Sequence, residues 1–167
     1  MVSTAVPVEV YLRSSFDPDA EYVDGEIQER PVGEYDHAAW QDALLAYFRE
    51  HAIEWKVRAK PELRVQVSPT RFRVPDVTVL DRDRPIEQIT THPPIAVFEI
   101  LSPEDIMSRM LLKLADYEQM GIAGIFLIDP KGSKYRYERG NLATVPNGPT
   151  ACGRLSIDFQ EVENLLD

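Results

Sequence analysis

Three charged residues stand where a folded chain resists charge: Asp76 directly after Pro75, Glu99 inside the apolar run Ile95 to Leu101, and Lys113 on the apolar side of a helix-patterned stretch. An ionised Glu99 in a strand covered on both faces is costly to desolvate unless a cation or a proton relieves it. Lys113 lies three residues after Met110 and four before Tyr117, so it shares their side of the helix, and an ammonium there meets the same objection. Pro75 removes a backbone donor, which favours an edge or a bend and turns Asp76 toward a cleft. Two readings account for the trio. In one, Glu99 and Lys113 form a buried ion pair and Asp76 is a turn residue. In the other, Asp76 and Glu99 hold Mg²⁺ or Mn²⁺ through oxygen, a backbone carbonyl near Ile100 adds a ligand, and water completes the octahedron. Such a metal activates water while Lys113 neutralises charge growing on a phosphate, and the outcome is phosphodiester hydrolysis.

The elements that must position these residues are readable from periodicity. Glu21 to Ile27 reads as two short strands around the Asp24-Gly25 turn, a dipeptide that tolerates positive φ. From His37 to His51, Trp40, Leu44, Tyr47 and Phe48 recur at helical spacing and predict an amphipathic helix. Lys56 to Val67 and Arg71 to Leu80 read as a pair of strands joined by Ser68-Pro69-Thr70. Ile95 to Leu101 is apolar on both alternating faces apart from Glu99, the pattern of a central strand. Ser102, Pro103 and Asp105 have the order of a capping box and predict a helix from about Pro103, with a stripe of Ile106, Met110, Leu114 and Tyr117. Gly121 stops that helix before a second buried strand, Gly124 to Asp129. Lys134 to Arg139 and Arg154 to Phe159 look like edge strands, with a short acidic tail after them.

Composition bounds the function. The 167 residues, 44% hydrophobic, are expected to form one domain with frayed ends, a core over about 10–140 and edge strands with a tail over 141–167. No stretch of Met1 to Tyr11 resembles a leader, and no apolar run is long enough to span a bilayer, so a soluble, cytoplasmic protein is expected. The lone Cys152 rules out an intrachain disulfide and a cysteine-cluster zinc site. A net charge of -10 opposes indiscriminate nucleic-acid binding. That charge is uneven, because residues 49–84 hold Arg49, Lys56, Arg58, Lys60, Arg64, Arg71, Arg73, Arg82 and Arg84 and are locally basic. Neither a Gly-x-Ser-x-Gly elbow, a phosphate-binding loop with Lys-Ser/Thr, nor His-Glu-x-x-His occurs, which sets aside serine hydrolase, nucleotide kinase and zinc peptidase chemistry.

Pro75-Asp76, then Glu99-Ile100-Leu101-Ser102-Pro103-Glu104-Asp105, then Lys113 with Tyr117, Gly121 and Asp129-Pro130, together resemble the Uma-two family. That family is a branch of the PD-(D/E)xK restriction-endonuclease-like group. Tyr22 to Glu26 and His37 also resemble it, and the likeness spans roughly residues 10–140. It implies an α/β (α+β) fold with a mixed central sheet flanked by helices, a metal-dependent endonuclease acting on DNA, and Asp76 and Glu99 as metal ligands. The group's usual lysine, two residues after the acid, is Leu101 here, so the resemblance implies a lysine displaced to Lys113. Glu26 is a candidate further acid at the metal, with a solvated hairpin residue as its alternative. His37 is a candidate substrate contact or acid–base group, with a structural role at the helix start as its alternative. Arg109 is expected to pair with Asp105 on the surface rather than share a phosphate with Lys113. His51 and His92 have no role assigned. A homodimer or a DNA-binding partner protein would explain how so acidic a chain reaches its substrate. The rival expectation is a nuclease-fold module without catalysis that serves interaction or regulation.

Overall fold

A computed structural model describes residues 4–17 and 19–167. In chain order the elements are α1 (Val8–Arg13), β1 (Ala20–Val23), β2 (Glu26–Glu29), α2 (Tyr35–Glu50), β3 (Val57–Pro61), β4 (Val65–Ser68), β5 (Arg71–Arg73) and β6 (Val77–Asp81). There follow β7 (Ala96–Ile100), α3 (Met107–Met120), β8 (Gly124–Ile128), β9 (Lys134–Glu138), β10 (Asn141–Thr144), β11 (Thr150–Cys152), β12 (Leu155–Ile157) and α4 (Phe159–Glu163). A six-stranded sheet runs β10-β9-β8-β7-β6-β3 and a four-stranded sheet runs β2-β1-β5-β4, with β11 and β12 as a separate pair. β7 and β8 are parallel and α3 is their crossover, whereas the other neighbours in the large sheet are antiparallel.

Alternation along the central strands divides the core. Phe98 and Ile100 of β7 pack with Phe126 and Ile128 of β8 under α2 and α4. Val97, Ile125 and Leu127, on the opposite face, pack with Met110, Leu114 and Tyr117 of α3 and with Val65 and Val67 of β4. Glu99 shares that second face with Val97, as a period of two demands. The mixed sheet with helices on both faces is the expected architecture. Among the described residues no helix is long and apolar enough to cross a membrane.

Five sequence expectations need correction. Lys56 to Val67 is not one strand: β3 and β4 lie in different sheets, and Glu62, at φ 53, marks the break. Arg71 to Leu80 is likewise cut at Val74-Pro75-Asp76, where the chain crosses from the small sheet to the large one. The helix expected from Pro103 starts at Met107, because Asp105 Oδ2 accepts the Ser102 N–H at 2.7 Å and closes a separate turn. Ile106 therefore stands outside the stripe at 55% exposure, while Gly121 ends α3 as expected, at φ 99. In the C-terminal part, β9 is covered by β10 rather than forming an edge, and Phe159 opens a helix capped by Asp158.

The ends are more ordered than the pattern suggested. α1 was not foreseen; its Tyr11 is fully buried, donates its hydroxyl hydrogen bond to Ala20 O at 2.8 Å, and stacks on Tyr22. Phe159 and Val162 of α4 belong to the core. Met1 to Ser3, part of the expected frayed start, lie outside the described residues.

Candidate active site

Asp76 sits at the crossing between the sheets. Pro75 cannot donate to a ladder, so β5 ends here, and the Val74 N–H is taken by Glu21 Oε1 at 2.9 Å. The Asp76 carboxylate then reaches the end of β7: Oδ2 accepts the Ile100 N–H at 2.7 Å. Oδ1 accepts from Arg30 Nη2 at 2.5 Å and faces His37 Nε2 at 3.1 Å. Gln41, one turn along α2 from His37, donates to the Asp76 carbonyl at 2.9 Å. One short loop thus ties β2, α2, β6 and β7 together.

Glu99 points from β7 to α3. Its Oε1 accepts the Tyr117 hydroxyl at 2.6 Å and lies 3.6 Å from Lys113 Nζ. Lys113 approaches Glu21 of β1 more closely, at 2.9 Å from Oε1. Glu21 Oε2 meets Arg73 Nη1 at 3.1 Å, and Arg73 in turn holds Asp116 of α3 at 2.7 Å. Glu21, Arg73, Asp76, Glu99 and Asp116 are all buried, and alternating charges satisfy one another along this line. A concavity of 290 Å³ opens above it, lined by Glu21, Arg30, Arg73, Arg109 and Lys113 among others.

The electrostatics separate the two expected metal ligands. Burial alone would raise Asp76, but the His37 hydrogen bond, the Arg30 charge and the Ile100 N–H hold it below the ordinary aspartate value. Burial pushes Glu99 up to about 8; Lys113 opposes this, and the negative charges of Asp76 and Glu21 add to it. Glu21 lies below its ordinary value because Lys113, Arg73 and the Val74 N–H outweigh its burial. Lys113 is raised, its burial being more than offset by Glu21, Glu99 and Asp76. His37 is raised in the same way by Asp76.

Asp76, Glu99, Lys113 and His37 are therefore brought into one neighbourhood. Glu26 is not: it is exposed at the start of β2, and Gln28, its neighbour on the same strand face, lines the concavity instead. Ile100 meets Asp76 through its N–H rather than its carbonyl. Arg109 makes no ion pair with Asp105 among the described residues and lines the concavity beside Lys113, because Asp105 is engaged in the turn at Ser102. Reading the sequence missed Glu21, Arg30, Arg73 and Asp116. The spacing of Asp116, three residues after Lys113 on the buried side of α3, was a signal for at least one buried cationic partner.

The donor chemistry suits a hard divalent cation, since the acids here offer only oxygen and burial disfavours the ionised form of Glu99, a cost that a cation would relieve. Among the described residues, no three His, Cys, Asp or Glu side chains stand together as a ready set of ligands. Oδ1 of Asp76 is met by both Arg30 and His37, whereas Oδ2 accepts only the Ile100 N–H and keeps a lone pair that a cation could use.

A family model described as "Uma2: Putative restriction endonuclease" matches residues 8–147. A solved structure, described as a putative nuclease belonging to DUF820 from Anabaena variabilis ATCC 29413, superposes with a TM-score of 0.82 at 20% identity. The match covers 99% of this chain and 100% of that one. No curated protein matches the chain.

Proposed function

The chain belongs to the Uma2 family, whose model is described as "Putative restriction endonuclease", and from that premise we propose that it hydrolyses phosphodiester bonds of DNA with the aid of Mg²⁺ or Mn²⁺. The observation that carries this reading is the meeting of Glu99 and Lys113, 3.6 Å apart, in a line of buried charge that opens to a concavity. Asp76 and Glu99 would hold the metal, with the Ile100 backbone beside them. The bound ion would supply an activated water and offset charge on the phosphate.

The remaining work falls to the chain's own side chains. Lys113, kept protonated by Glu21 and Glu99, presents a fixed positive charge to a phosphate oxygen. Arg109 adds a second cation at the mouth of the concavity, where it is free of Asp105. Tyr117 is a positioning residue, because its hydroxyl fixes the orientation of Glu99 through Oε1. His37 and Arg30 position Asp76.

A second reading, an inert nuclease-fold module, is favoured by one observation: Arg30, His37 and the Ile100 N–H already converge on Asp76. Incubating the protein with supercoiled plasmid and single-stranded DNA in Mg²⁺ and in Mn²⁺ separates the two. Cutting that disappears in Asp76→Asn and Glu99→Gln, with circular dichroism unchanged, supports the hydrolase. Folded wild-type protein that cuts neither substrate supports the inert module.

A further inference from the structure

The candidate active site leaves unused the cations gathered at one edge of the large sheet. β3 is the outer strand of that sheet beside β6. With α2 and the turn after β6 it bounds a second concavity of 270 Å³, whose charged lining is Arg49, Arg58, Lys60 and Arg82, with no carboxylate; Arg58 and Lys60 also border a neighbouring hollow that holds Asp81 and Glu87. Among the described residues, none of the four lies within ion-pair distance of an acid. The chain has 28 acids to 18 bases, so a group of four bases without a direct ion pair is not the expected pattern. Four like charges in one hollow repel each other, and an anion relieves that repulsion.

Protection of the sheet edge explains only part of this. Lysine, arginine and proline on an outer strand discourage pairing with another chain, and Arg58, Lys60 and Pro61 fit that use. Arg49, however, comes from α2 and Arg82 from the turn after β6, where edge protection asks for nothing. A second copy of the chain would bring the same positive edge against this one.

The position of the hollow relates it to the candidate active site. β3 ends beside Asp76: Pro61 pairs with Val77, and the Glu62 N–H donates to the Asp76 carbonyl at 3.4 Å. At about 3.3 Å per strand residue, Lys60 lies roughly 7 Å and Arg58 roughly 13 Å along β3 from Glu62. α2 starts on the same side, with His37 against Asp76, and at about 1.5 Å per residue Arg49 is roughly 18 Å further along it. The cations therefore form a track that leads away from Asp76.

We propose that this track binds the phosphate backbone of a nucleic acid whose scissile bond lies at Asp76 and Glu99. The proposal rests on the nuclease reading and adds where the substrate lies. It is tested by fluorescence anisotropy with labelled single-stranded and duplex oligonucleotides in EDTA, which blocks cleavage. Lys60→Gln/Arg82→Gln is compared with Arg13→Gln/Arg139→Gln, which removes equal charge from exposed positions elsewhere. The track variant is expected to bind about tenfold more weakly at low salt, with a salt slope shallower by about one per cation removed, while the control stays near wild type. Equal weakening of both variants, or of neither, while wild type still binds, overturns the track and leaves the nuclease reading standing. Wild-type protein that binds phosphatidylserine vesicles but no nucleic acid, or neither, overturns both.

Discussion

Lys113 Nζ lies 2.9 Å from Glu21 Oε1 and 3.6 Å from Glu99, so its closer partner comes from the small sheet rather than from the central strand. Glu21 also receives Arg73 and the Val74 N–H. Removing it leaves two buried cations and one backbone donor short of an acceptor. Glu21→Ala is expected to lower the unfolding free energy by about 3–5 kcal/mol, the range for breaking a buried ion pair on one side. Glu21→Gln, which can still accept the Val74 N–H, is expected to cost less. Urea titration of both variants measures this, and an Ala variant as stable as wild type would show that the charge line is not cohesive.

The packing of the two-stranded β11–β12 ribbon on the large sheet rests on a missing side chain. A Cβ at Gly124 would stand 2.9 Å from Ala96 Cβ and closer still to Cys152 Sγ, both buried. Gly124→Ala is expected to destabilise the protein by about 1–3 kcal/mol through overpacking. Cys152→Ala in the same chain should recover part of that loss, because it removes the nearer clash. Thermal unfolding of the single and double variants checks both statements.

What the sequence made legible was local. Glu99 was conspicuous because every neighbour in Ile95 to Leu101 is apolar, and Lys113 because Met110 and Tyr117 fix its side of α3. Glu21 was not conspicuous, since Glu21 to Glu26 also fits a solvated hairpin. Its burial depends on Arg73 and Lys113, which tertiary packing brings to it. The breaks at Glu62 and at Val74-Pro75-Asp76 were hidden for a similar reason: each segment has strand periodicity on both sides, and only the sheet partner changes. At Ser102 the local signal was real but satisfied by a turn one step before the helix, which displaced the start of α3 to Met107.

The raised Glu99 gives a stability that depends on pH with a definite sign. Its value in the fold, about 8, lies above the ordinary 4.5, so the folded state favours the protonated form. That contribution is full below the ordinary value and is lost as pH rises through about 8. His37, also raised, loses its contribution in the same direction as pH climbs past its ordinary 6.5. In EDTA the melting temperature is therefore expected to fall between about pH 5 and pH 9, and Glu99→Gln is expected to flatten most of that fall. Differential scanning fluorimetry across the range measures it; an equally steep fall in the Gln variant would place the titrating group elsewhere.

Arg30 shares Oδ1 of Asp76 with His37 and sets a positive charge where a metal would approach the carboxylate, and its second guanidinium nitrogen already lies 3.5 Å from Glu62. A release of Asp76 by Arg30 toward Glu62 would leave His37 as the remaining side-chain partner of Oδ1 and would not leave the guanidinium unpartnered. A hydrogen bond to a charged group contributes about 1.5–3 kcal/mol, which a cation entering here must displace, so Arg30→Gln is expected to raise Mn²⁺ affinity by roughly tenfold or more. The same change leaves Asp76 with less positive charge nearby, so the metal-free variant is expected to melt below wild type. Added Mn²⁺ is then expected to return more stability to the variant than to wild type, because the ion binds only the folded state. Titration calorimetry and melting curves with and without Mn²⁺ measure the two effects together. A variant that melts lower yet binds Mn²⁺ no better would make Arg30 purely a support for Asp76, and absence of Mn²⁺ binding in both proteins would count against the metal site itself.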